Sequence, residues 1–272
     1  MALIEKHKAT DMFAVPPALL IMLNHPSFSS YDMSSLRYIY SGAAPLPAEL
    51  ADQARRGFKC PIVEAYGLSE TSPLVNTHPV PRIRAGSVGP PIADTIEKVV
   101  DLSNEQELPT GETGELFVKG PQVMKGYWSQ RIETAEAFTR DGWLRTGDIA
   151  YVDEEGYVHL VDRKKEMIKY KGHQIAPAEL EALLLEHPAV LDVAVVPKRQ
   201  PDGGETPKAF VVLRPGATAT AEEIQAWAEE KVAPFKKIRD LEFLDVIPKS
   251  LAGKILRREL IQRYRQKEEA GG

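Results

Sequence analysis

The chain has 272 residues, 43% of them hydrophobic and 27% charged, and a formal net charge of −5. That is the composition of an ordinary folded protein, long enough for one large domain or two of usual size. The acidic balance argues against general nucleic-acid binding, which needs a basic footprint, and no apolar run approaches the ~20 residues of a membrane-spanning helix. A single cysteine, Cys60, offers neither an internal disulfide nor a zinc site. No positive leader runs into an apolar core, so no secretory signal is expected and a cytoplasmic location is.

Residues 11–23 are apolar with a Pro-Pro break. Tyr38-Ile39-Tyr40 reads as a short buried strand, and Ser41-Gly42-Ala43-Ala44-Pro45-Leu46 as a small-residue loop. Pro47 then opens a helix from Ala48 to about Arg56, since proline suits a first turn. A second strand covers residues 62–66. Strand, loop, helix, strand is an α/β signature. From residue 84 to 160, glycines and prolines separate short β-rich runs at 97–100, 114–119 and 157–161, which predicts a small antiparallel barrel or sandwich. Beyond Arg163 the pattern changes again. A helix is predicted at 177–186, with Leu180, Leu183 and Leu184 on one face, and strands at 190–196, 209–213 and 241–247. Thr220 and Glu223 form a capping box before a helix carrying Ile224 and Trp227. A last helix runs from Ile255 to about Arg265.

The expected architecture is therefore α/β followed by α+β: a partial α/β subdomain at 1–75, a small antiparallel β-barrel at 76–161, a hinge at 162–165 and a compact α+β domain at 166–272. Arg163-Lys164-Lys165-Glu166-Met167-Ile168-Lys169-Tyr170-Lys171-Gly172 lies at the seam and holds five basic residues. In an acidic chain, such a cluster fits a compact anion such as a nucleotide or coenzyme.

Three further stretches carry chemistry. Tyr66-Gly67-Leu68-Ser69-Glu70-Thr71-Ser72-Pro73 follows a strand; its hydroxyls and free N–H groups can hold a phosphate, and its carboxylate can take Mg²⁺. Gly142-Trp143-Leu144-Arg145-Thr146-Gly147-Asp148 sets an aspartate beside glycine, suited to ribose hydroxyls. In Pro248-Lys249-Ser250-Leu251-Ala252-Gly253-Lys254, a lysine after glycine can reach a phosphate. Taken singly, each reads as readily as a polar surface turn.

The order and spacing of all four stretches resemble the adenylate-forming family, which includes acyl-CoA synthetases, 4-coumarate–CoA ligases, firefly luciferases and peptide-synthetase adenylation domains. The resemblance runs over essentially the whole chain, and SGAAPL, YGLSETSP and IKYKGHQIAPAELE look most like the fatty-acyl and 4-coumarate branch. It implies that a carboxylic acid and ATP give an acyl adenylate and pyrophosphate, and that CoA then takes the acyl group. By that resemblance Glu70 helps hold Mg²⁺, and Ser69, with Thr71 near it, contacts the α-phosphate. Ala44, Glu64, Ala65, Tyr66 and Gly67 line the nucleotide pocket, Asp148 and Arg163 face the ribose, and Lys254 stabilises charge during adenylation. Lys165 is the hinge, Lys169 approaches the site in a second pose, and Lys171 and Gly172 contact CoA.

Family members are roughly twice this long, and their first half carries a Ser/Thr/Gly-rich phosphate loop ending in a lysine. This chain has no such loop. The resemblance therefore implies the C-terminal half of an acid–CoA ligase, for a medium- or long-chain fatty acid or, alternatively, an aryl acid of the 4-coumarate type. The isolated chain is expected to turn over weakly or not at all, to expose a sheet edge and an apolar face, and to pair with a second copy or a separate N-terminal chain. A non-catalytic AMP- or CoA-binding module is the competing reading.

Overall fold

The structure, a computed structural model, describes residues 1–80, 82–200, 203–250 and 253–271; Leu251 and Ala252 of the lysine loop lie outside these. The chain forms two compact units, one over Met1–Leu160 and one over Val161–Ser250 with Lys254–Gly272.

In the first unit, strands β1 (Asp11–Ala14), β2 (Tyr38–Ser41) and β3 (Ile62–Tyr66) run parallel, and β4 (Asn76–Thr77) pairs antiparallel with β3. Strand side chains alternate between faces. Ile39 therefore turns into a core with Leu19 of helix α2 (Pro16–Leu23) and Ala54 and Phe58 of α3 (Ala48–Phe58), joined by Ile4 of α1 (Ala2–His7). Helix α3 buries Leu50, Ala51, Ala54 and Phe58, one stripe at helical spacing, and ends at Lys59 in the left-handed conformation. The opposite sheet face carries Phe13, 81% exposed and stacked on Tyr40 at 5.0 Å. As expected, β1 has one neighbour, and this face is open at Phe13, though Val63 of β3 on the same face is buried.

The glycine-rich region forms strands β5 (Ile96–Val100), β6 (Gly114–Lys119), β7 (Leu144–Val152) and β8 (Val158–Arg163), in the order β5-β6-β7-β8, with helix α4 (Arg131–Ala137) between β6 and β7. Val99, Leu116, Val118, Ala150 and Val158 fill its core. It is an open four-stranded sheet, where the sequence predicts a barrel: β5 and β8 have no pairing that closes the ring.

In the second unit, the basic stretch is more than a linker. Lys164–Glu166 form a 3₁₀ turn, followed by a hairpin of β9 (Ile168–Tyr170) and β10 (His173–Ile175). Its two-residue loop, Lys171-Gly172, has φ of 46° and 84°, the pair of positive angles that a tight hairpin with natural twist requires. A three-stranded sheet orders β11 (Val190–Arg199), β12 (Glu205–Leu213) and β13 (Asp240–Phe243), with β12–β13 parallel. Val193 and Val195 face α5 (Pro177–Leu185) and α6 (Ala221–Glu229); Ala194, Val196 and Phe210 face Leu260 and Tyr264 of α7 (Arg257–Gly271). The Thr220–Glu223 capping box is formed in both directions, at 2.8 and 3.2 Å. Two boundaries differ from prediction. The 241–247 strand stops at Phe243, while Leu244 and Ile247 remain buried under α7. The last helix starts at Arg257, because Ile255 instead bridges to Lys249.

Candidate functional site

In the first unit the candidate residues gather past the carboxyl ends of β2 and β3, where open parallel sheets bind ligands. The loop after β2 starts close to β3, where a Cβ on Gly42 would meet the Ala65 carbonyl oxygen at 3.1 Å, and carries Ala44, half-buried, two residues on. Glu64, Ala65 and Tyr66 are the last three residues of β3. Burial pushes the Glu64 carboxyl up, and its Oε1 accepts from the Gly86 N–H at 3.4 Å.

Gly67 opens the turn and admits no side chain, since a Cβ would lie 1.6 Å from the Pro73 carbonyl oxygen. Thr71, fully buried, uses its hydroxyl inside the turn: Oγ1 accepts from the Leu68 N–H at 2.9 Å and donates toward the carbonyls of Leu68 and Pro73. The structure thus gives Thr71 the turn to hold and leaves Ser69 exposed, as it does Ser72. Glu70 is held twice. Its carbonyl accepts from the Met124 N–H at 2.7 Å, and its carboxylate accepts from the Tyr127 hydroxyl at 2.8 Å. That bond is also what raises the Tyr127 phenol above its ordinary value.

Asp148 sits in mid-strand and not in the polar surface turn that its stretch alone also allows. The register of β6 against β7 slips there: Glu115 pairs with Ile149 and Phe117 with Arg145, so Thr146, Gly147 and Asp148 bulge. Bulges re-aim side chains beside functional sites. Gly147 takes φ of 70°, its N–H donates to Glu115 Oε1 at 3.2 Å, and Thr146 Oγ1 donates to the Leu116 carbonyl at 2.7 Å and accepts from the Asp148 N–H at 3.0 Å. The result is a buried Asp148 whose Oδ2 accepts from the Tyr66 hydroxyl.

The remaining candidates belong to the second unit. Arg163 ends β8, Lys165 is exposed in the 3₁₀ turn, and Lys169, Lys171 and Gly172 share the hairpin, all exposed. The Lys169 N–H donates to Glu205 at 2.9 Å, and the Lys171 ammonium lies 5.5 Å from the Tyr170 ring centre. Space around Gly172 is open, so its glycine serves φ and not a close approach within the chain. Lys254 stands exposed on a separate loop closed by the Lys249–Ile255 bridge. The sequence reading missed Tyr127, Thr146 and Glu115; no spacing rule connects Tyr127 to Glu70, 57 residues away.

Comparison with known proteins bears on these features. The family model of AMP-binding enzymes matches residues 1–128, and that of the AMP-binding enzyme C-terminal domain matches residues 179–254. A 4-coumarate–CoA ligase 1 from Glycine max is 42% identical over 268 residues, covering 96% of this chain and 91% of that one. A probable 4-coumarate–CoA ligase 1 from Dictyostelium discoideum is 43% identical over 263 residues, 96% of this chain and 48% of its own length. Among solved structures, ATP-bound MatB from Rhodopseudomonas palustris matches with a TM-score of 0.88 at 30% identity, covering 97% of this chain and 52% of that one. The chain spans about half the length of relatives such as the Dictyostelium protein.

Proposed function

Because the chain belongs to the family of AMP-binding, adenylate-forming enzymes, we propose that it carries the nucleotide-binding and lid portions of an AMP-forming acid–CoA ligase. A carboxylic acid and ATP give an acyl adenylate and pyrophosphate, and the acyl group then passes to the thiol of CoA. The observation that carries this reading is the bulge in β7 that turns the buried Asp148 onto Tyr66, beside the Gly67–Pro73 turn. A carboxylate accepts through two oxygens, so Asp148 can serve the Tyr66 hydroxyl and the hydroxyls of a ribose together. Gly67 gives the turn its shape, and Ser69 offers its hydroxyl to the α-phosphate. Ala44, Glu64 and Ala65 wall the base, and Arg163 supports the ribose.

Mg²⁺ fits the donors present. No group of three or more His, Cys, Asp or Glu gathers among the described residues, and Glu70 supplies one partly exposed carboxylate held by Tyr127. Mg²⁺ is ordinarily held by one or two carboxylates together with substrate phosphates and water; bound there, it would neutralise phosphate charge. Lys254 supplies fixed positive charge to the reacting phosphate without transferring a proton, a kind of contribution worth about 10²–10³ in rate. Lys165 serves as the hinge, Lys169 acts in the second half-reaction, and Lys171 and Gly172 meet CoA. The names of the relatives support an aryl acid of the 4-coumarate type as substrate. Neither name carries a fatty acid, the substrate the motifs first suggested.

A second reading is favoured by the exposed Phe13 and the unpaired edge of β1: the chain binds AMP or CoA, or completes an enzyme as one of two pieces, without turning over alone. Titration of the purified chain with AMP, beside acid-dependent ATP–pyrophosphate exchange with Mg²⁺ and acetate, octanoate, palmitate or 4-coumarate, tests both. AMP should bind, and Asp148→Ala should weaken it about tenfold to a hundredfold, the range of a hydrogen bond to a charged group. Exchange should be slow or absent; exchange dependent on 4-coumarate and abolished by Lys254→Ala would make the chain an enzyme on its own. AMP binding indifferent to Asp148→Ala would sink the assigned site.

A further inference from the structure

Lys254 stands on a loop zipped by its own backbone. The Ser250 N–H donates to the Lys254 carbonyl at 2.9 Å, the Lys254 N–H to Ser250 Oγ at 3.2 Å, and the Leu256 N–H to the Pro248 carbonyl at 2.9 Å. Two ion pairs fix its ends to the rest of the unit, and they differ in kind. At the entry, Lys249 Nζ meets both oxygens of Asp192 at 2.9 and 2.7 Å, with the two side chains 37% and 29% exposed. Such a pair contributes little, because water competes for both charges.

At the exit, three residues past Lys254, Arg257 is mostly buried. One terminal nitrogen of its guanidinium donates to both oxygens of Glu181 at 2.8 Å, where the side chains are only 14% and 11% exposed. Glu181 Oε1 also accepts from the Val195 N–H of the central strand at 2.7 Å. The Arg257 Nε lies 3.4 Å from Glu166 Oε2, within ion-pair range but without hydrogen-bond geometry. Glu166 directly follows Lys165 in the 3₁₀ turn. One guanidinium thus joins the first residue of α7, helix α5 and that turn. A lysine could place a point charge on Glu181, but it has no second nitrogen to span to Glu166.

We propose that Arg257 is a positioning residue for Lys254: it locks the exit of the lysine loop onto Glu181 and Glu166, and so fixes where the Lys254 ammonium is presented. The entry pair guides the loop; the exit pair sets it. This rests on the reading of Lys254 as the lysine that meets the nucleotide phosphates. A purely structural Arg257 would hold α7 on the sheet with no particular effect through Lys254, and the two roles separate in a double-mutant cycle.

The cycle uses the full chain and its affinity for ATP with Mg²⁺, measured by titration calorimetry for wild type, Lys254→Ala, Arg257→Lys and the double variant. Arg257→Lys retains the charge, and a thermal melt reports whether each variant is folded. The expected result is a loss of at least about fivefold for Lys254→Ala, a comparable partial loss for Arg257→Lys, and no further loss when Arg257→Lys is added to Lys254→Ala. Hydrogen exchange should agree. The Ser250 and Lys254 amides should exchange faster in Arg257→Lys, the β12 amides should stay protected, and Lys249→Met should have a smaller effect on the loop. Equal losses from Arg257→Lys in both backgrounds, or exchange rising alike in the loop and β12, would make Arg257 merely structural and overturn the proposal. No loss in either background overturns it as well. If Lys254→Ala binds ATP like wild type, the failure lies in the role given to Lys254, and the proposal falls with its premise.

Discussion

The two units cover their sheets to different extents. Along β11, neighbouring side chains point to opposite faces and both are buried: Val193 and Val195 under α5 and α6, Ala194 and Val196 under α7. Along β1 and β2 one face is covered and the other only in part. Ile39 is fully buried against the helices, whereas Phe13 on the other face is 81% exposed. Parallel sheets ordinarily bury both faces. Polar groups follow the same division. Among the described residues, the buried side-chain atoms without a hydrogen-bond partner are Ser41 Oγ, Asn76 Oδ1, Thr77 Oγ1, Glu97 Oε1 and Gln122 Oε1 in the first unit, against Arg257 Nε in the second. The second unit closes its own core; the first leaves apolar surface and polar atoms unfinished.

The contrast is broken most directly by matched phenylalanines. Phe210 lies fully buried on β12 among Ala194, Leu260 and Tyr264. Phe210→Ala should destabilise the second unit by about 3–5 kcal/mol, the transfer and cavity cost of a buried aromatic, read from the urea dependence of β12 amide exchange. A loss below about 1 kcal/mol would mean that this core is looser than its burial implies.

A smaller effect sharpens the polar half of the comparison. Burial pushes the Glu97 carboxyl up to about 7, against the opposing pull of the Asn76 amide 3.1 Å away. The folded state thus holds this proton more tightly than the unfolded one. Stability from this group is present below the ordinary value of 4.5 and is lost as pH rises from there through about 7. Over that window the loss is at most roughly 3 kcal/mol. Glu97→Gln keeps the shape without the charge. It should leave the urea midpoint unchanged near pH 4 and raise it near pH 8, and an equal shift at both values would remove ionisation as the cause.

What could be read in advance follows the same line. In the second unit, local signals placed most elements. Pro177 at a first turn, the Thr220–Glu223 box and the alternating valines of β11 each fix an element within a few residues. In the first unit the decisive contacts are distant. Tyr66 and Asp148 are 82 residues apart, and the bulge joining them leaves no mark in the sequence beyond Gly147, which serves an ordinary turn equally well. An open sheet and a closed barrel share the same short strands and glycine spacing, so the barrel was a fair expectation that only pairing could correct. Leu244 and Ile247 look like strand residues because they are buried, yet they pack from a loop. The Lys171-Gly172 turn is set locally as well: Gly172 has φ of 84° with open space around it, the angle of a tight hairpin.

The smallest expected change in stability concerns Phe13. Its ring stacks on Tyr40 but buries little, so Phe13→Ser should shift the unfolding midpoint by no more than about 0.5 kcal/mol. Its effect should appear in association. An uncovered aromatic face beside the unpaired edge of β1 is a surface that recruits another chain, and sedimentation velocity over a range of concentrations should show self-association that Phe13→Ser reduces. Two features of the strand compete for the cause, the apolar face and the open backbone edge. Phe13→Ser removes the first and leaves the second intact. Association that persists unchanged in the variant would assign it to the edge, and a chain that stays monomeric in both forms would show that one covered face is enough to keep the first unit apart.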